Sequence, residues 1–361
     1  MKPTAKLLSD YFSERYGAKP GSLKVSRLGR GSHGHGFRVE FEEDGAVRKL
    51  IVKTLEGGIG LGHDYPSDRA AVFLLARSSY GKLPRHVKAV DVVALGSGGD
   101  VFSIDGGREY YLVMEEAEGR SYFEDLQEMA GRPRLSGFDT GRIKSMAAYL
   151  AGIHSKKKDD PSLYYRKLRD IIGHGECLMG VLDSYDGAAF TGLAEMAEIE
   201  KACVGWRAKL KPMTQRLSAI HGDFHPGNIL FSGRRSFTLL DRSRGEYGEP
   251  ADDLTALTIN YVFFSLIHHG KMEGAYNEAM SLLWDEYVSA SGDSDVYNVA
   301  APFFAFRGVV VANPLFYPDV SDYVRGSIFG FVHGVLRAGS FDPCRVNEYI
   351  KSGVAYRKRF I

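Results

Sequence analysis

The sequence predicts an α+β chain of two lobes, a small β-rich one followed by a larger helical one. Three observations carry that expectation. The 361 residues exceed what one ordinary hydrophobic core takes. Strand-type patterns crowd into the first third, and helix-type periodicity fills most of the remainder. The apolar fraction of 44% and the charged fraction of 25% are those of an ordinary soluble globular chain. A formal charge of +1 gives no long-range attraction for nucleic acid or an anionic membrane. The start, Met1-Lys-Pro-Thr-Ala-Lys-Leu-Leu-Ser-Asp10, has no apolar run of signal-peptide length, and no stretch of about 18 apolar residues follows. A cytoplasmic protein with neither a nucleic-acid nor a membrane partner is expected. Cys177, Cys203 and Cys344 lack metal-ligand spacing and read as reduced structural thiols.

The β-rich part is laid out in order. Residues 22–26, 36–42 and 47–55 carry strand patterns, with Glu43-Asp44-Gly45-Ala46 as the hairpin turn between the last two. A helix is expected over 66–77, then strands over 87–95 and 108–116. Beyond Ala117-Glu118-Gly119 the pattern turns helical, over 140–154, 163–183, 193–210, 253–268, 274–289, 296–312 and 321–338. The expected division is 1–116 for the first lobe and 117–361 for the second, with a hinge near Met114 to Gly119.

Several features of the first lobe suit a nucleotide. Leu28-Gly29-Arg30-Gly31-Ser32-His33-Gly34-His35-Gly36 places glycines between two strand patterns, where backbone N–H groups can close over phosphate without Cβ obstruction. A hairpin that is only Gly-rich is the alternative. Lys53 lies on an apolar strand, which is costly unless its ammonium meets an anion; a snorkelling edge lysine is the alternative there. Asp68, one turn into the next helix, is the candidate carboxylate partner of Lys53, with Asp64 and Glu56 also near in sequence. In Tyr111-Leu-Val-Met114-Glu115-Glu-Ala117 an adenine ring would lie against apolar side chains near Met114 and bond the backbone of Glu115 and Ala117. The same segment also reads as a plain core strand.

The densest chemistry lies in Ile220-His221-Gly222-Asp223-Phe224-His225-Pro226-Gly227-Asn228-Ile229-Leu230-Phe231, with Asp241 shortly after. Residues 228–231 and 236–240 read as a hairpin, with Ser232 to Arg235 as its turn. Phosphoryl transfer needs this set of groups: one carboxylate to orient a hydroxyl and accept its proton, and an amide with a second carboxylate to hold divalent metal against the phosphates. A polar loop joining two core strands is the bland alternative.

His221-x-Asp223-x-x-x-x-Asn228 resembles the catalytic loop of protein kinases. Its His-Gly-Asp-x-His-x-x-Asn form is more similar to that of the aminoglycoside phosphotransferase and choline kinase-like family of small-molecule kinases. Leu239-Leu-Asp241 and Gly248-Glu-Pro250-Ala-Asp-Asp253-Leu254 look like that group's metal-Asp and Gly-x-Pro-x-x-Asp-Leu segments. The resemblance runs from about residue 28 to 254. It implies a bilobal protein-kinase-like fold and a Mg²⁺-dependent kinase using ATP or GTP to phosphorylate a hydroxyl of a sugar-like or amino-alcohol small molecule. It further implies Asp223 as catalytic base or hydroxyl-orienting carboxylate, and Asn228 and Asp241 as metal ligands. Lys53 would bind the α/β-phosphates with Asp68 as partner, and Gly31, Ser32 and Gly34 would close over them. His221 and Asp253 would be structural supports of the loop, and His225 structural too.

The sequence departs from the family pattern after Asp241, where Arg242-Ser243-Arg244 replaces an aromatic followed by an acidic residue. An arginine beside the acceptor would repel an ammonium by roughly 1–4 kcal/mol, depending on local dielectric. If Arg242 or Arg244 faces the acceptor, a neutral or anionic acceptor is favoured; otherwise each points to solvent. Arg307, charged inside an apolar helix, is a third acceptor candidate. The basic segment 163–176 reads as a lid or as a solvated helix face. A non-catalytic nucleotide-binding regulator is the second reading. A protein kinase is disfavoured, because D-F-G and A-P-E segments are absent.

Overall fold

The computed structural model describes residues 4–19, 21–31, 33–56, 63, 66–96, 101–102, 109–185, 187–242 and 244–360. The chain separates into two compact units, one made of residues up to Glu118 together with Thr238–Ser243, the other of Gly119–Phe237 and Arg244–Ile361. The expected boundary at 116/117 did not anticipate the return of a short segment around Asp241 to the first unit.

The first unit is built on a six-stranded antiparallel sheet. In spatial order its strands are Lys24–Gly31, Gly34–Glu43, Ala46–Leu55, Glu109–Glu115, Ala89–Leu95 and Val101–Phe102. Both faces are covered, which is why Leu50, Ile51 and Val52 form an unbroken apolar run instead of an alternation. One face carries helix Ala5–Tyr16, whose Leu8, Tyr11 and Phe12 pack on Phe37, Val39, Phe41, Leu50, Val52, Tyr111 and Val113. Thr4 caps that helix at its start and Gly17, at φ 64°, closes it. The other face carries helix Pro66–Ser79, with Phe73, Ala70 and Ala76 against Leu55, Ala89, Ala94 and Leu112. The returning segment joins this side, where Leu239 bonds Arg85 and Val87 through its backbone and Leu240 packs on the same cluster.

The second unit is helical. Helix Pro250–His269 is buried from Pro250 through Leu266, and Ala301–Val311 is almost as apolar. A helix hydrophobic all round must lie inside other helices, and these two form the core to which Gly137–His154, Gly274–Ser291 and Asp322–Ala338 are added. Helix Gly137–His154 starts in a capping box between Ser136 and Asp139. The expected helix over 163–183 is instead two, Pro161–Gly173 and Leu178–Leu182, broken at the Gly-His-Gly sequence as glycine-flanked helix ends commonly are. Likewise 296–312 divides at Ala300 into Val296–Val299 and Ala301–Val311. Among the described residues no helix is long and apolar enough to cross a membrane.

Candidate functional site

In the second unit, the loop after strand Ser218–Ala219 is fixed from below by one carboxylate. Asp253, in the first turn of helix Pro250–His269, accepts the backbone N–H of His221 at 2.8 Å and of Gly222 at 2.7 Å. His154 Nε2 adds a third contact to it at 3.1 Å. Burial alone would raise the Asp253 pKa, but the His154 hydrogen bond and charge, with His221, hold it below the usual range. Gly222 turns the chain at φ 85°, a conformation that favours glycine. The Asp223 N–H then donates to His221 Nδ1 at 3.2 Å, which leaves the proton of a neutral His221 on Nε2. His221 is thus a fully buried support.

The Asp223 side chain is held on the other flank by Arg307. Nη1 donates to Asp223 Oδ1 at 2.5 Å, Nη2 to the Gly222 carbonyl at 2.9 Å, and Nε and Nη2 to Asp252 Oδ1 at 3.1 and 2.6 Å. Asp223 Oδ2 faces His225 Nε2 at 3.8 Å. Burial alone would raise the Asp223 pKa; the charges of His225, Arg307 and Arg244 outweigh it and keep the carboxyl well below the usual carboxylate range. Asp252 responds oppositely: burial and its neighbour Asp253 raise its pKa despite Arg307. Asn228, in the turn Pro226–Asn228, donates Nδ2 to the Asp223 carbonyl at 3.0 Å. Its Oδ1 accepts no hydrogen bond among the described residues, which suits a metal ligand.

The first unit holds the other candidates. Lys53 Nζ meets Asp241 Oδ2 at 2.5 Å, so its carboxylate partner is Asp241 and not the expected Asp68, which sits partly buried in the first turn of Pro66–Ser79. Tyr80 donates to Asp241 Oδ1 at 3.5 Å. Asp241 itself has φ 54°, a left-handed conformation that an aspartate tolerates but rarely adopts without cause. Gly31 and Gly34 pair across the tight end of the first hairpin; Ser32 lies outside the described residues. Met114 is partly buried in strand Glu109–Glu115. The Glu115 N–H donates to the Lys88 carbonyl at 3.2 Å, while that of Ala117 makes no hydrogen bond among the described residues.

The three arginines do not point to solvent as a group. Arg242 is buried in the first unit and donates to the Ser79 carbonyl at 3.1 Å. Arg307 is 4% exposed and committed to Asp223 and Asp252, so it holds the loop and does not present itself to an acceptor. Arg244 is partly exposed, beside Gly222. Sequence reasoning gives no separate role to Asp252, and it offers Lys167 only as part of the basic segment 163–176. Asp252 stood one residue from the motif Asp253, and only the charge inside helix Ala301–Val311 hinted at a buried acidic partner.

The phosphotransferase enzyme family model matches residues 32–270. The chain belongs to the phosphotransferase enzyme family. A search of curated proteins returns no match. Among solved structures, choline kinase from Cryptosporidium parvum is 12% identical with a TM-score of 0.51, over 99% of this chain and 95% of that one. A choline/ethanolamine kinase family protein from Mesorhizobium loti is also 12% identical at a TM-score of 0.51, over 96% and 99%. Aminoglycoside phosphotransferase APH(3'')-Id from Streptomyces rimosus is 13% identical at 0.50, over 86% and 98%. At such identities the likeness is one of fold, and it agrees with the expected bilobal protein-kinase-like α+β class for this family member.

Proposed function

We propose that this phosphotransferase is a Mg²⁺-dependent kinase that moves the γ-phosphoryl group of ATP, or of GTP, to a hydroxyl of a small molecule. The observation that carries the reading is the hold on Asp223: two backbone N–H bonds to Asp253 fix the preceding loop, and Arg307 fixes the carboxylate. Such a carboxylate stays ionised and orients a hydroxyl through its second oxygen. Its depressed pKa makes it a poor proton acceptor, which suits a loose transition state in which positioning outweighs basicity.

Asn228 and Asp241 are the proposed metal ligands, and their oxygens fit a hard cation. Mg²⁺ held there would neutralise charge on the phosphates. Lys53 is proposed to bind the α/β-phosphates, with Asp241 setting its position. Gly31, Ser32 and Gly34 are proposed around the phosphates, and Met114, Glu115 and Ala117 around adenine, where the spare Ala117 N–H is a ready donor.

The test is an acceptor screen reading ADP release, run on the wild type and on Asp223→Asn. Acceptor-dependent release is expected, falling at least a hundredfold in the variant with nucleotide affinity within about twofold. Full turnover in Asp223→Asn removes that residue as the acting carboxylate. Nucleotide binding without acceptor-dependent release favours the non-catalytic regulator, and phosphorylation of generic proteins favours a protein kinase.

A further inference from the structure

The second unit contains two cations that the reaction as proposed leaves unused, Arg244 beside Asp223 and Lys167 against the Arg244 backbone. Arg244 has its Cβ against Gly222, where a side chain added to that glycine would approach to 3.1 Å. Its guanidinium carbon lies 5.1 Å from the centre of the Phe306 ring, and that of Arg307 lies 4.6 Å from the same centre. Yet where Arg307 binds two carboxylates, Arg244 binds none among the described residues. Among them Nη1 reaches the Cys177 Sγ at 2.9 Å and the Glu176 carbonyl at 3.4 Å, and the buried Nε has no hydrogen-bond partner. Cys177 does not compensate the charge, since burial pushes its thiol up to about 11 against the pull of Arg244 and it stays protonated.

Lys167, from helix Pro161–Gly173, reaches the backbone of the same residue. Its Nζ donates to the Arg244 carbonyl at 2.5 Å, and it makes no ion pair among the described residues. The nearest acid on its own helix, Asp170, is shared with Arg166 and Arg169. Asp223, Glu176 and Asp252 act on the Arg244 charge, and Asp170 and Asp252 on that of Lys167, but among the described residues no carboxylate reaches either cation at ion-pair distance. Holding half-buried cations in that way is costly, and an incoming anion relieves that cost.

We infer that Arg244 and Lys167 form an anion-binding subsite next to Asp223, and that the acceptor hydroxyl belongs to an anionic small molecule carrying a carboxylate or a phosphate. This inference rests on the kinase reading for the acceptor, though not for the binding of an anion. The partly exposed guanidinium offers its second amino group to a planar or tetrahedral oxyanion, and the ammonium supplies a second charge. The same charges disfavour choline-like and aminoglycoside-like cations.

The deciding experiment is calorimetric titration of inorganic phosphate and, separately, D-glycerate into protein saturated with Mg²⁺ and a nonhydrolysable ATP analogue. Binding is expected in the wild type, at least tenfold weaker in Arg244→Gln and in Lys167→Gln, and intermediate in Arg244→Lys, with nucleotide affinity unchanged throughout. Preference for glycerate over phosphate assigns the subsite to carboxylates, and the reverse assigns it to phosphorylated acceptors. No binding of either anion, or equal binding in wild type and variants, overturns the inference. A parallel ADP-release assay compares D-glycerate and glycerol 3-phosphate with glycerol, choline and kanamycin. Turnover only of neutral or cationic members leaves the kinase reading standing and removes the anionic acceptor; anion binding without any turnover removes the kinase reading alone.

Discussion

Arg307 and Asp223, 84 residues apart in sequence, are joined by a 2.5 Å hydrogen bond, and the same guanidinium spans to Asp252 at the start of the core helix. One buried side chain therefore ties the loop of the candidate site to the hydrophobic centre of its unit. Removing it would strand two carboxylates, one of which already has a raised pKa. Arg307→Ala is expected to lower unfolding free energy by about 3–5 kcal/mol, read from urea denaturation. Arg307→Lys should recover part of that, because an ammonium cannot reproduce the fork. A variant as stable as the wild type would mean that the cluster contributes nothing net.

Lys53 and Asp241 make the opposite case. Both side chains keep a quarter to a third of their surface exposed, so the pair adds little to folding, within about 1 kcal/mol. Lys53→Met should therefore leave the urea midpoint nearly unchanged while weakening nucleotide binding at least tenfold in calorimetry. A large stability loss with intact nucleotide affinity would make the lysine structural.

The contrast between these pairs shows what the sequence could carry. Asp223, Asn228, Asp241 and Lys53 stand out because their chemistry is packed into short spacings or contradicts an apolar strand. Asp253 as a support was legible only through the resemblance of its segment to the family's. The Arg307 clamp was not, since no local pattern joins residues 84 apart; the charge was visible and its partners were not. Asp68 is the expected partner of Lys53 because it lies one turn into the next helix, whereas the return of Asp241 to the first unit is a tertiary event. Helix Ala5–Tyr16 escaped notice although Leu8, Tyr11 and Phe12 mark its buried face. Breaks at Gly173 and Ala300 moved helix limits without changing which faces are buried.

Glu195 offers a test by pH. Fully buried near the start of helix Leu193–Leu210, it accepts from His333 Nε2 at 3.1 Å, Arg357 Nε and Nη2 at 2.8 and 2.9 Å, and Thr191 at 2.9 Å. Burial works to raise its pKa, but the His333 and Arg357 bonds outweigh it and the pKa is lowered. A carboxylate depressed in the folded state contributes stability above its unfolded pKa of about 4.3, and loses it as pH falls through the folded value. The stability gap between wild type and Glu195→Gln should be widest near neutrality and narrow below about pH 4. A gap that stays constant across that range would show that the charge is immaterial.

The tight end of the first hairpin gives a prediction about geometry. A Cβ on Gly34 would lie 1.9 Å from the Thr54 carbonyl oxygen and 2.8 Å from its carbon, and neither backbone atom can yield without moving its strand. The register pairs His35 with Thr54 and Gly36 with Lys53, so the displacement reaches the lysine proposed to bind phosphate. Gly34→Ala should cost about 1–3 kcal/mol, in the range of overpacked sites, and weaken nucleotide binding together with stability. Gly29 is the control, because nothing lies within 4 Å of a Cβ built there. Gly29→Ala should stay within about 0.5 kcal/mol of the wild type. Equal effects at the two positions in a thermal melt would show that strand spacing at Gly34 is not what holds Lys53 in place.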